Sequence, residues 1–194
     1  GWALAALAAA IAYFFRDPVR VTPVRDGLVV SPADGVVSGI DLVPAPVELG
    51  LGPEPRRRIS IFLSVLDVHV NRSPVGGAIT RSIYTPGQFL NAAAPAASGQ
   101  NERRSLVIET ASGEALIVVQ IAGMIARRIV TTVSQGDTVA PGERIGLIRF
   151  GSRVDVYLPA DRSALVAVGQ YMIGGETVLA DLASQEAARA VKAS

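Results

Sequence analysis

The stretch on which the fold depends is residues 143–159, which read Glu-Arg-Ile-Gly-Leu-Ile-Arg-Phe-Gly-Ser-Arg-Val-Asp-Val-Tyr-Leu-Pro. After Gly151-Ser152, apolar and polar residues alternate with the period of two that is typical of a half-buried strand. A second β-rich run, 145–150, precedes the dipeptide. A glycine in such a pattern indicates a bulge or a close backbone approach. The Ser152 hydroxyl would then lie beside the unshielded carbonyl of Gly151, although a plain β-bulge has the same sequence.

An internal repeat surrounds this stretch. Val133-x-x-Gly136-x-x-Val139-x-x-Gly142-Glu143-x-Ile145 returns 33 residues later as Val166-x-x-Gly169-x-x-Met172-x-x-Gly175-Glu176-x-Val178. Each unit predicts a strand, a glycine turn and a second strand. Two such units can pair by pseudo-symmetry, as in lipoyl-type and hammerhead-like folds. We therefore predict a mostly β barrel-sandwich domain with Ser152 between the repeated units. The tail 184–193 is predicted to form a short surface helix.

The composition excludes several kinds of site. The chain has 194 residues, which fit one domain, and its 19 Gly and 12 Pro favour short strands and turns. It has no Cys, which excludes disulfides, thiolate metal sites and cysteine nucleophiles, and its one His cannot build a His-rich metal site. The net charge of +1 gives no reason to expect nucleic-acid binding. We predict neither a metal nor a nucleic-acid partner.

The N-terminal residues are apolar without interruption as far as Arg16-Asp17-Pro18. A spanning helix needs about 20 apolar residues. Because the run is shorter and the chain starts with Gly, we expect residues 1–16 to be the truncated end of a longer membrane anchor, with 17–194 as a single domain. Arg16 and Arg20 favour a cytoplasmic side for that domain. The alternative is a buried N-terminal helix.

Six blocks follow one another along the chain. They are Phe14-Phe15-Arg16-Asp17-Pro18, Ser31-Pro32-Ala33-Asp34-Gly35, residues 62–74 (Phe-Leu-Ser-Val-Leu-Asp-Val-His-Val-Asn-Arg-Ser-Pro), Gly87-Gln88-Phe89-Leu90-Asn91-Ala92, Asn101-Glu102-Arg103 and Phe150-Gly151-Ser152. In this order they closely resemble the phosphatidylserine decarboxylases, in particular the short bacterial and archaeal branch. The resemblance extends from about Phe14 to about Leu179.

The resemblance implies a proenzyme that cleaves itself. Ser152 would attack the Gly151 carbonyl, and the chain would separate into a β chain, 1–151, and an α chain, 152–194. Ser152 would become a covalent pyruvoyl group, with no metal and no pyridoxal phosphate. That group would bind the amine of phosphatidylserine and accept electrons as carbon dioxide leaves, so that phosphatidylethanolamine forms.

The resemblance also implies roles for individual residues. Asp34 matches the family's self-cleavage Asp, as base or orienting group, and His69 matches the first His of the Asp-x-His-x-x-His block of larger members. Arg72 replaces the second His, so either His69 serves self-cleavage and decarboxylation or Asp34 acts on Ser152 without an imidazole. Larger members commonly have Thr or Ser where this chain has Arg153. Arg72 and Asn91 are expected to bind the headgroup.

A lipid substrate predicts a membrane location with the catalytic domain on the cytoplasmic side. The expected partners are phosphatidylserine in the membrane, an anionic lipid surface, the paired self-cleaved chains and a possible second copy. Arg56-Arg57-Arg58 is interpreted either as a contact with anionic headgroups or as a solvated surface. One alternative is a decarboxylase of another serine-headed lipid such as archaetidylserine. Another is a noncatalytic, membrane-tethered lipoyl-like module, although the chain's one Lys, Lys192, lies in the tail. A serine hydrolase is disfavoured because the sequence has no Gly-x-Ser-x-Gly elbow.

Overall fold

A computed structural model describes residues 1–92, 97–124, 128–149, 152–188, 190 and 192. These residues form two helices, α1 (Trp2–Phe14) and α2 (Ala97–Gln100), a 3₁₀ turn at Val47–Leu49, and thirteen strands. The strands are β1 (Leu28–Val30), β2 (Gly35–Pro44), β3 (Pro55–Leu63), β4 (Val70–Arg72), β5 (Gly77–Thr85), β6 (Arg103–Glu109), β7 (Ala115–Ile121), β8 (Ile129–Thr131), β9 (Thr138–Val139), β10 (Arg144–Ile148), β11 (Ser152–Pro159), β12 (Tyr171–Met172) and β13 (Val178–Asp181). The prediction of a mostly β fold preceded by a helix is confirmed.

The main sheet has eight strands in the order β12-β2-β3-β11-β7-β6-β5-β9, all paired antiparallel, and it curls into a half-barrel. β11 lies in its middle, between β3 and β7. Val154, Val156 and Leu158 face the larger hydrophobic core, and Tyr157 packs in a second core on the opposite face of the sheet. The alternation predicted for residues 154–158 therefore places one set of side chains in each of two buried layers.

Two small sheets close the half-barrel. β10 pairs with β4 and β8, and β1 pairs with β13. Gly146 of β10 lies opposite Asn71 on one side and Thr131 on the other. A Cβ at position 146 would lie 2.2 Å from the Val130 carbonyl oxygen, and φ there is 152°. Only glycine therefore fits at this position of the three-stranded sheet.

The 33-residue repeat is present in the structure. Each unit contains a short strand, a turn and a second strand: β9 and β10 in the first unit, β12 and β13 in the second. The repeated glycines have similar positive φ values of 97° at Gly136, 75° at Gly142, 89° at Gly169 and 81° at Gly175. The turns therefore depend on backbone conformations that glycine adopts without strain.

A second repeat, with an offset of 42 residues, relates the segment that begins with β1 to the segment that begins with β4. The Val30 N–H donates to the Pro74 carbonyl over 2.9 Å, and the Arg72 N–H donates to the Pro32 carbonyl over 2.8 Å. Val30 and Arg72 are 42 residues apart, as are Pro32 and Pro74. The two segments thus exchange equivalent hydrogen bonds around a pseudo-two-fold axis.

Each of these two segments binds a different unit of the 33-residue repeat. The segment that begins with β1 binds the second unit, and the segment that begins with β4 binds the first unit. The Gly175 N–H donates to the Ser31 carbonyl over 2.7 Å, and the Gly142 N–H donates to the Ser73 carbonyl over 2.8 Å. Residues around β1 and β2 therefore associate with β12 and β13, and residues around β4 and β5 associate with β9 and β10. The domain consists of two interlocked halves of similar structure.

Helix α1 has no charged residue, and its large apolar side chains are mostly exposed, including Trp2, Leu4, Leu7 and Ile11. Phe14, at its end, is buried. None of the helices in the described part of the chain has the combination of length and apolarity that crossing a bilayer requires. The helix predicted for 184–193 is wrong over the described residues 184–188, which are irregular. In so short a segment the few helical hydrogen bonds gained do not offset the cost of nucleating a helix.

Candidate active site

Three chain segments meet at one end of the main sheet. β3 ends there at Leu63, which is paired with Ser152, the first residue of β11. β2 begins at the same end, because its Val36 is paired with Phe62 of β3. Since neighbouring strands lie about 4.8 Å apart, the starts of β2 and β11, on either side of β3, are separated by roughly 10 Å. The sheet therefore brings Asp34, Ser152 and the 64–69 connection to one location.

Ser152 is completely buried, and its Oγ has no hydrogen-bond partner among the described residues. A buried hydroxyl without a partner costs free energy, and such exceptions call for an explanation. Pairing with β3 on one side and β7 on the other fixes the strand that begins at Ser152. Gly151, the predicted site of cleavage, and Phe150 lie outside the described residues.

His69 precedes β4 and is also buried. Its backbone carbonyl accepts the Ile148 N–H over 3.3 Å, only four residues before Ser152. Four residues of extended chain span at most about 14 Å, which limits the separation of the two segments. The β4–β10 pairing therefore holds His69 near the strand that carries the candidate nucleophile.

The imidazole of His69 has a defined tautomer. Nδ1 lies 2.9 Å from the Asp67 carbonyl oxygen, which can only accept, so Nδ1 carries the proton. In the neutral ring Nε2 then keeps its lone pair, and it has no partner among the described residues. Burial lowers the pKa of His69, although the hydrogen bond to Asp67 and the charges of Asp67 and Asp34 oppose that shift. The ring is thus maintained as a neutral base.

Asp34 accepts hydrogen bonds from two sides. Arg20 Nη2 donates to both of its carboxylate oxygens, over 2.9 and 2.8 Å, and the Gly174 N–H donates to Oδ1 over 2.7 Å. Both members of the ion pair are nearly buried. These contacts stabilise the charged carboxylate, whose field raises the pKa of His69. The charge of Asp34 therefore favours the protonated form of His69.

Asp67 shapes the loop between β3 and His69. Its Oδ2 accepts the Ser64 N–H over 2.7 Å, and its Oδ1 accepts the Tyr171 hydroxyl over 2.8 Å. Burial and the hydrogen bond to Asp67 raise the pKa of Tyr171. Arg16 Nη2 donates to the Leu66 carbonyl over 2.6 Å, so the end of α1 is attached to the same loop. This loop therefore links α1 to the candidate site.

Arg72 and Asn91 occupy different surroundings. The Arg72 guanidinium donates to the Gly142 carbonyl over 3.0 Å and to Asp17 Oδ1 over 2.7 Å, which binds the segment after α1 to the turn before β10. Asn91 is exposed, and the neighbouring Ala92 carbonyl accepts from Arg153 Nη1 over 3.2 Å. The structure thus places Asn91 near the start of β11 and commits Arg72 to contacts within the chain.

Arg153, the residue after the candidate nucleophile, belongs to a buried ion pair. Its Nε lies 2.9 Å from Asp155 Oδ1, and Ser98 donates to Asp155 Oδ2 over 3.0 Å. Burial raises the pKa of Asp155, and the charge of Arg153 opposes that shift. The pair anchors the segments on either side of residues 93–96 to β11.

Comparison with known proteins shows the family of the chain. The sequence model described as phosphatidylserine decarboxylase matches residues 7–180. The chain belongs to the phosphatidylserine decarboxylase family. The phosphatidylserine decarboxylase proenzyme of Cereibacter sphaeroides is 57% identical over 189 residues, which cover 97% of this chain and 82% of that protein. The proenzyme of the same name from Paramagnetospirillum magneticum is 56% identical over 189 residues, covering 97% of this chain and 79% of that protein.

Several residues of this family member's site were not predicted from its sequence. They are Phe14, whose ring contacts that of His69, Arg20 and Tyr171, which bond to Asp34 and Asp67, and Asn71 and Gln120, which are hydrogen-bonded to each other. Phe14 lies within a recognised sequence block beside the site, which could have suggested a contact with it. Arg20, Gln120 and Tyr171 reach the site only through strand pairing and packing between segments distant in the sequence, so no local pattern could have indicated them.

The described residues include no group of three or more His, Cys, Asp or Glu side chains that could hold a metal ion. A pyruvoyl group would need no separate binding site, since it would form from a residue of the chain. The buried, unpartnered hydroxyl of Ser152 fits such a group, because no existing hydrogen bond to a described residue has to be broken when the side chain reacts.

Proposed function

We propose that this chain is the proenzyme of a phosphatidylserine decarboxylase, which converts phosphatidylserine to phosphatidylethanolamine after it has cleaved itself before Ser152. The observation that carries the proposal is the location of Ser152 and His69. Both side chains are buried at one end of the sheet, and Ser152 Oγ and His69 Nε2 lack partners among the described residues. Identity of 57% to a decarboxylase proenzyme supports it.

Self-cleavage would begin with transfer of the Ser152 hydroxyl proton to a base. Oγ then bonds to the preceding carbonyl carbon, and the peptide C–N bond breaks, which leaves an ester and a free amine. Loss of the Cα proton breaks the Cβ–Oγ bond and releases residue 151 as a carboxylate. The remaining dehydroalanine takes up water and loses ammonia, which gives the pyruvoyl group.

The contacts of the two candidate bases support His69 as the group that accepts the hydroxyl proton. Its Nε2 has a free lone pair, whereas the Asp34 carboxylate is neutralised by Arg20 and bonded to the Gly174 N–H. Asp34 would stabilise the imidazolium that forms, because its negative charge favours protonation of His69. The replacement of the family's second His by Arg72 is then tolerated, since one imidazole serves both stages.

In the mature enzyme the pyruvoyl group would supply the electron sink for loss of carbon dioxide. His69 would return a proton to the substrate's α-carbon from Nε2, the ring nitrogen that is not bonded to Asp67. Asn91 would bind the headgroup from the loop beside Arg153. The proposal that Arg72 also binds it requires exchange of its contact with Asp17 for one with the substrate.

The α chain would remain associated after cleavage. Its first strand, β11, is hydrogen-bonded to both β3 and β7, and its later strands β12 and β13 pair with β2 and β1. All four of these partner strands belong to the β chain. Breaking one peptide bond at the head of β11 leaves this pairing intact, so a stable two-chain enzyme is expected.

The exposed apolar surface of α1 supports attachment to a membrane. The helix leads directly to Phe14 and the site loop, so a membrane-embedded α1 would hold the site at the lipid surface where its substrate lies. The cytoplasmic orientation rests on the positions of Arg16 and Arg20. The Arg56, Arg57 and Arg58 side chains donate to Ala115, Arg162 and Asp41, contacts that do not support a part for this triplet in lipid binding.

Intact-mass analysis of the purified protein under denaturing conditions tests the proposal. We expect two fragments that break between 151 and 152, the smaller lighter by one ammonia than a simple hydrolytic product and resistant to Edman sequencing. Ser152→Ala should remain one chain. Ser73→Ala, which removes a buried hydroxyl bonded to the Val75 carbonyl, should still be cleaved. A wild-type chain that stays uncut in the presence of phosphatidylserine vesicles contradicts the proposal.

A further inference from the structure

The site contains a third buried polar atom that the chemistry above does not use. Asn71 is completely buried on β4, two residues after His69. Its Nδ2 has no hydrogen-bond partner among the described residues, like Ser152 Oγ and His69 Nε2. A buried amide donor without a partner is costly to fold, so its presence on the strand that follows His69 needs an explanation.

A chain of hydrogen bonds fixes which end of the Asn71 amide is free. Thr131 Oγ1 donates to Gln120 Oε1 over 3.2 Å, and Gln120 Nε2 donates to Asn71 Oδ1 over 2.8 Å. Gly146 lies between Asn71 and Thr131 in the three-stranded sheet, and a Cβ there would lie 3.2 Å from Gln120 Nε2. The glycine therefore makes room for Gln120, which holds the oxygen of Asn71 and leaves its NH₂ group available.

Strand pairing brings this network close to Ser152. Gln120 of β7 is paired with Val154 of β11, so the two side chains point to the same face of the sheet. Ser152 is two residues before Val154 and points to that face as well. Diagonal neighbours of this kind are about 7–8 Å apart, a gap that the side chains of Gln120 and Asn71 together can span.

The pseudo-two-fold axis provides an internal comparison. Asn71 and Thr131 correspond to Val29 and Ala164 through the 42- and 33-residue offsets. Val118 of β7 is paired with Val156 of β11, and the axis relates these two residues to each other. Two residues further along each strand, Gln120 therefore corresponds to Leu158. Val29, Leu158 and Ala164 are all buried in the larger core. The fold thus packs apolar side chains at these three positions in one half and has polar ones in the half next to Ser152.

We propose that Asn71 is a catalytic residue of self-cleavage, an inference that rests on the proposed function. When Ser152 Oγ adds to the preceding carbonyl carbon, its proton passes to His69 and the carbonyl π pair moves onto the oxygen. Asn71 Nδ2 donates a hydrogen bond to that oxyanion. Collapse of the adduct returns the pair, breaks the C–N bond and transfers the imidazolium proton to the departing amine. Gln120 and Thr131 are positioning residues that orient the donor.

The first test replaces only the donating group. Asn71→Asp retains an oxygen that can accept from Gln120 but has no N–H. We expect self-cleavage to be slower by about 10²–10³-fold at pH 8. The rate is measured by gel electrophoresis of protein that is made by cell-free synthesis and labelled in a short pulse. A protonated carboxyl group is again a donor, so the ratio of the variant's rate to the wild-type rate should rise as the pH is lowered.

The second test transfers the apolar residues of the other half. The triple variant Asn71→Val/Gln120→Leu/Thr131→Ala should fold with a melting temperature at or above that of Ser152→Ala, an uncleaved reference, and should not be cleaved. If Asn71→Asp does not fold, the triple variant alone tests the role of Asn71. The role of Asn71 is overturned if either the triple variant or Asn71→Asp is cleaved at the wild-type rate. It is also overturned if the ratio of the Asn71→Asp rate to the wild-type rate is independent of pH. A wild-type chain that is not cleaved instead contradicts the proposed function.

Discussion

The ring of Phe14 covers the imidazole of His69, with their centroids 4.1 Å apart and their planes inclined by 36°. Phe14 is the last residue of α1 and His69 immediately precedes β4, so this contact joins the apolar helix to the site. Because Phe14 excludes water from the ring, it contributes to the burial that lowers the pKa of His69. The helix thereby influences the protonation of the candidate base.

Phe14→Ala should move the acidic limb of the pH–rate profile. Water admitted to His69 would raise its pKa towards the ordinary value, so the neutral ring would be lost at higher pH than in the wild type. Decarboxylation and self-cleavage should both show the shift, measured from pH 5 to 8. Phe15→Ala is the matched control, because Phe15 is exposed and makes an edge-to-face contact with Phe14 rather than a contact with His69. An acidic limb unchanged by Phe14→Ala would rule out this role for the contact.

His69 should also make folding stability depend on pH. Its folded pKa is below the ordinary value of 6.5, so below about pH 6.5 the unfolded chain binds a proton that the folded chain does not. The contribution of the neutral His69 to the free energy of unfolding is therefore fully present above this pH. It is lost as the pH falls towards the folded pKa.

Urea unfolding of Ser152→Ala, with and without His69→Gln, measures this contribution because both chains are uncleaved. The free energy of unfolding of the parent should decrease from pH 7 to 5 by more than that of the His69→Gln chain. Parallel pH dependences would show that His69 titrates alike in the folded and unfolded states.

The Arg20–Asp34 ion pair should be essential for stability as well as chemistry. Arg20→Met leaves a nearly buried carboxylate whose remaining hydrogen bond among the described residues is to the Gly174 N–H, and breaking a buried pair in this way costs about 3–5 kcal/mol. The double variant Arg20→Met/Asp34→Asn should recover much of that loss but be cleaved slowly. Urea unfolding and intact-mass analysis give the two readouts.

The Arg25–Asp181 pair provides the control, since its Arg lies in the same segment before β1 but has a side chain that is 58% exposed. Arg25→Met should cost at most about 1 kcal/mol. Equal effects of Arg20→Met and Arg25→Met would contradict the importance assigned to the buried pair.

Charges on α1 should weaken membrane attachment without changing the site. Leu7→Glu/Ile11→Glu introduces two acidic groups on the exposed apolar surface, and we expect it to sediment less with phosphatidylserine-containing vesicles. Cleavage should proceed normally. Leu42→Glu is the control, because Leu42 is exposed on β2 at the end opposite the site. Vesicle binding reduced equally by both changes would indicate a general charge effect.

The parts of the fold that follow local patterns were predictable. Alternation identified β11, and the spacing of glycines identified the repeat formed by β9, β10, β12 and β13. Sequence blocks indicated Asp34, His69 and Ser152, and the structure brings the segments that carry them to one sheet end. Their catalytic roles stay predictions until the variants above are measured.

The remainder depends on contacts between distant segments. Asn71 reads as an ordinary polar residue until its partner Gln120, 49 positions later, is known. The 42-residue repeat shares little beyond a Ser-Pro pair and a glycine four residues after the serine, because its equivalence lies in backbone hydrogen bonds. Arg20 follows the apolar helix and could only be interpreted as a membrane-flanking charge before its contact with Asp34 was seen.

The pseudo-two-fold axis means that the site has a counterpart without its chemical groups. The positions equivalent to His69 and Asp34 are Gly27 and Gly76, and both line a groove of about 390 Å³ on the other side of the axis. A symmetric pair of half-length chains would make the same reciprocal hydrogen bonds and would carry two identical sites. In this chain one of the two equivalent sites has the acid and the base, and the other has glycines in their place. The molecule therefore contains the same scaffold twice, once with the acidic and basic groups and once without them.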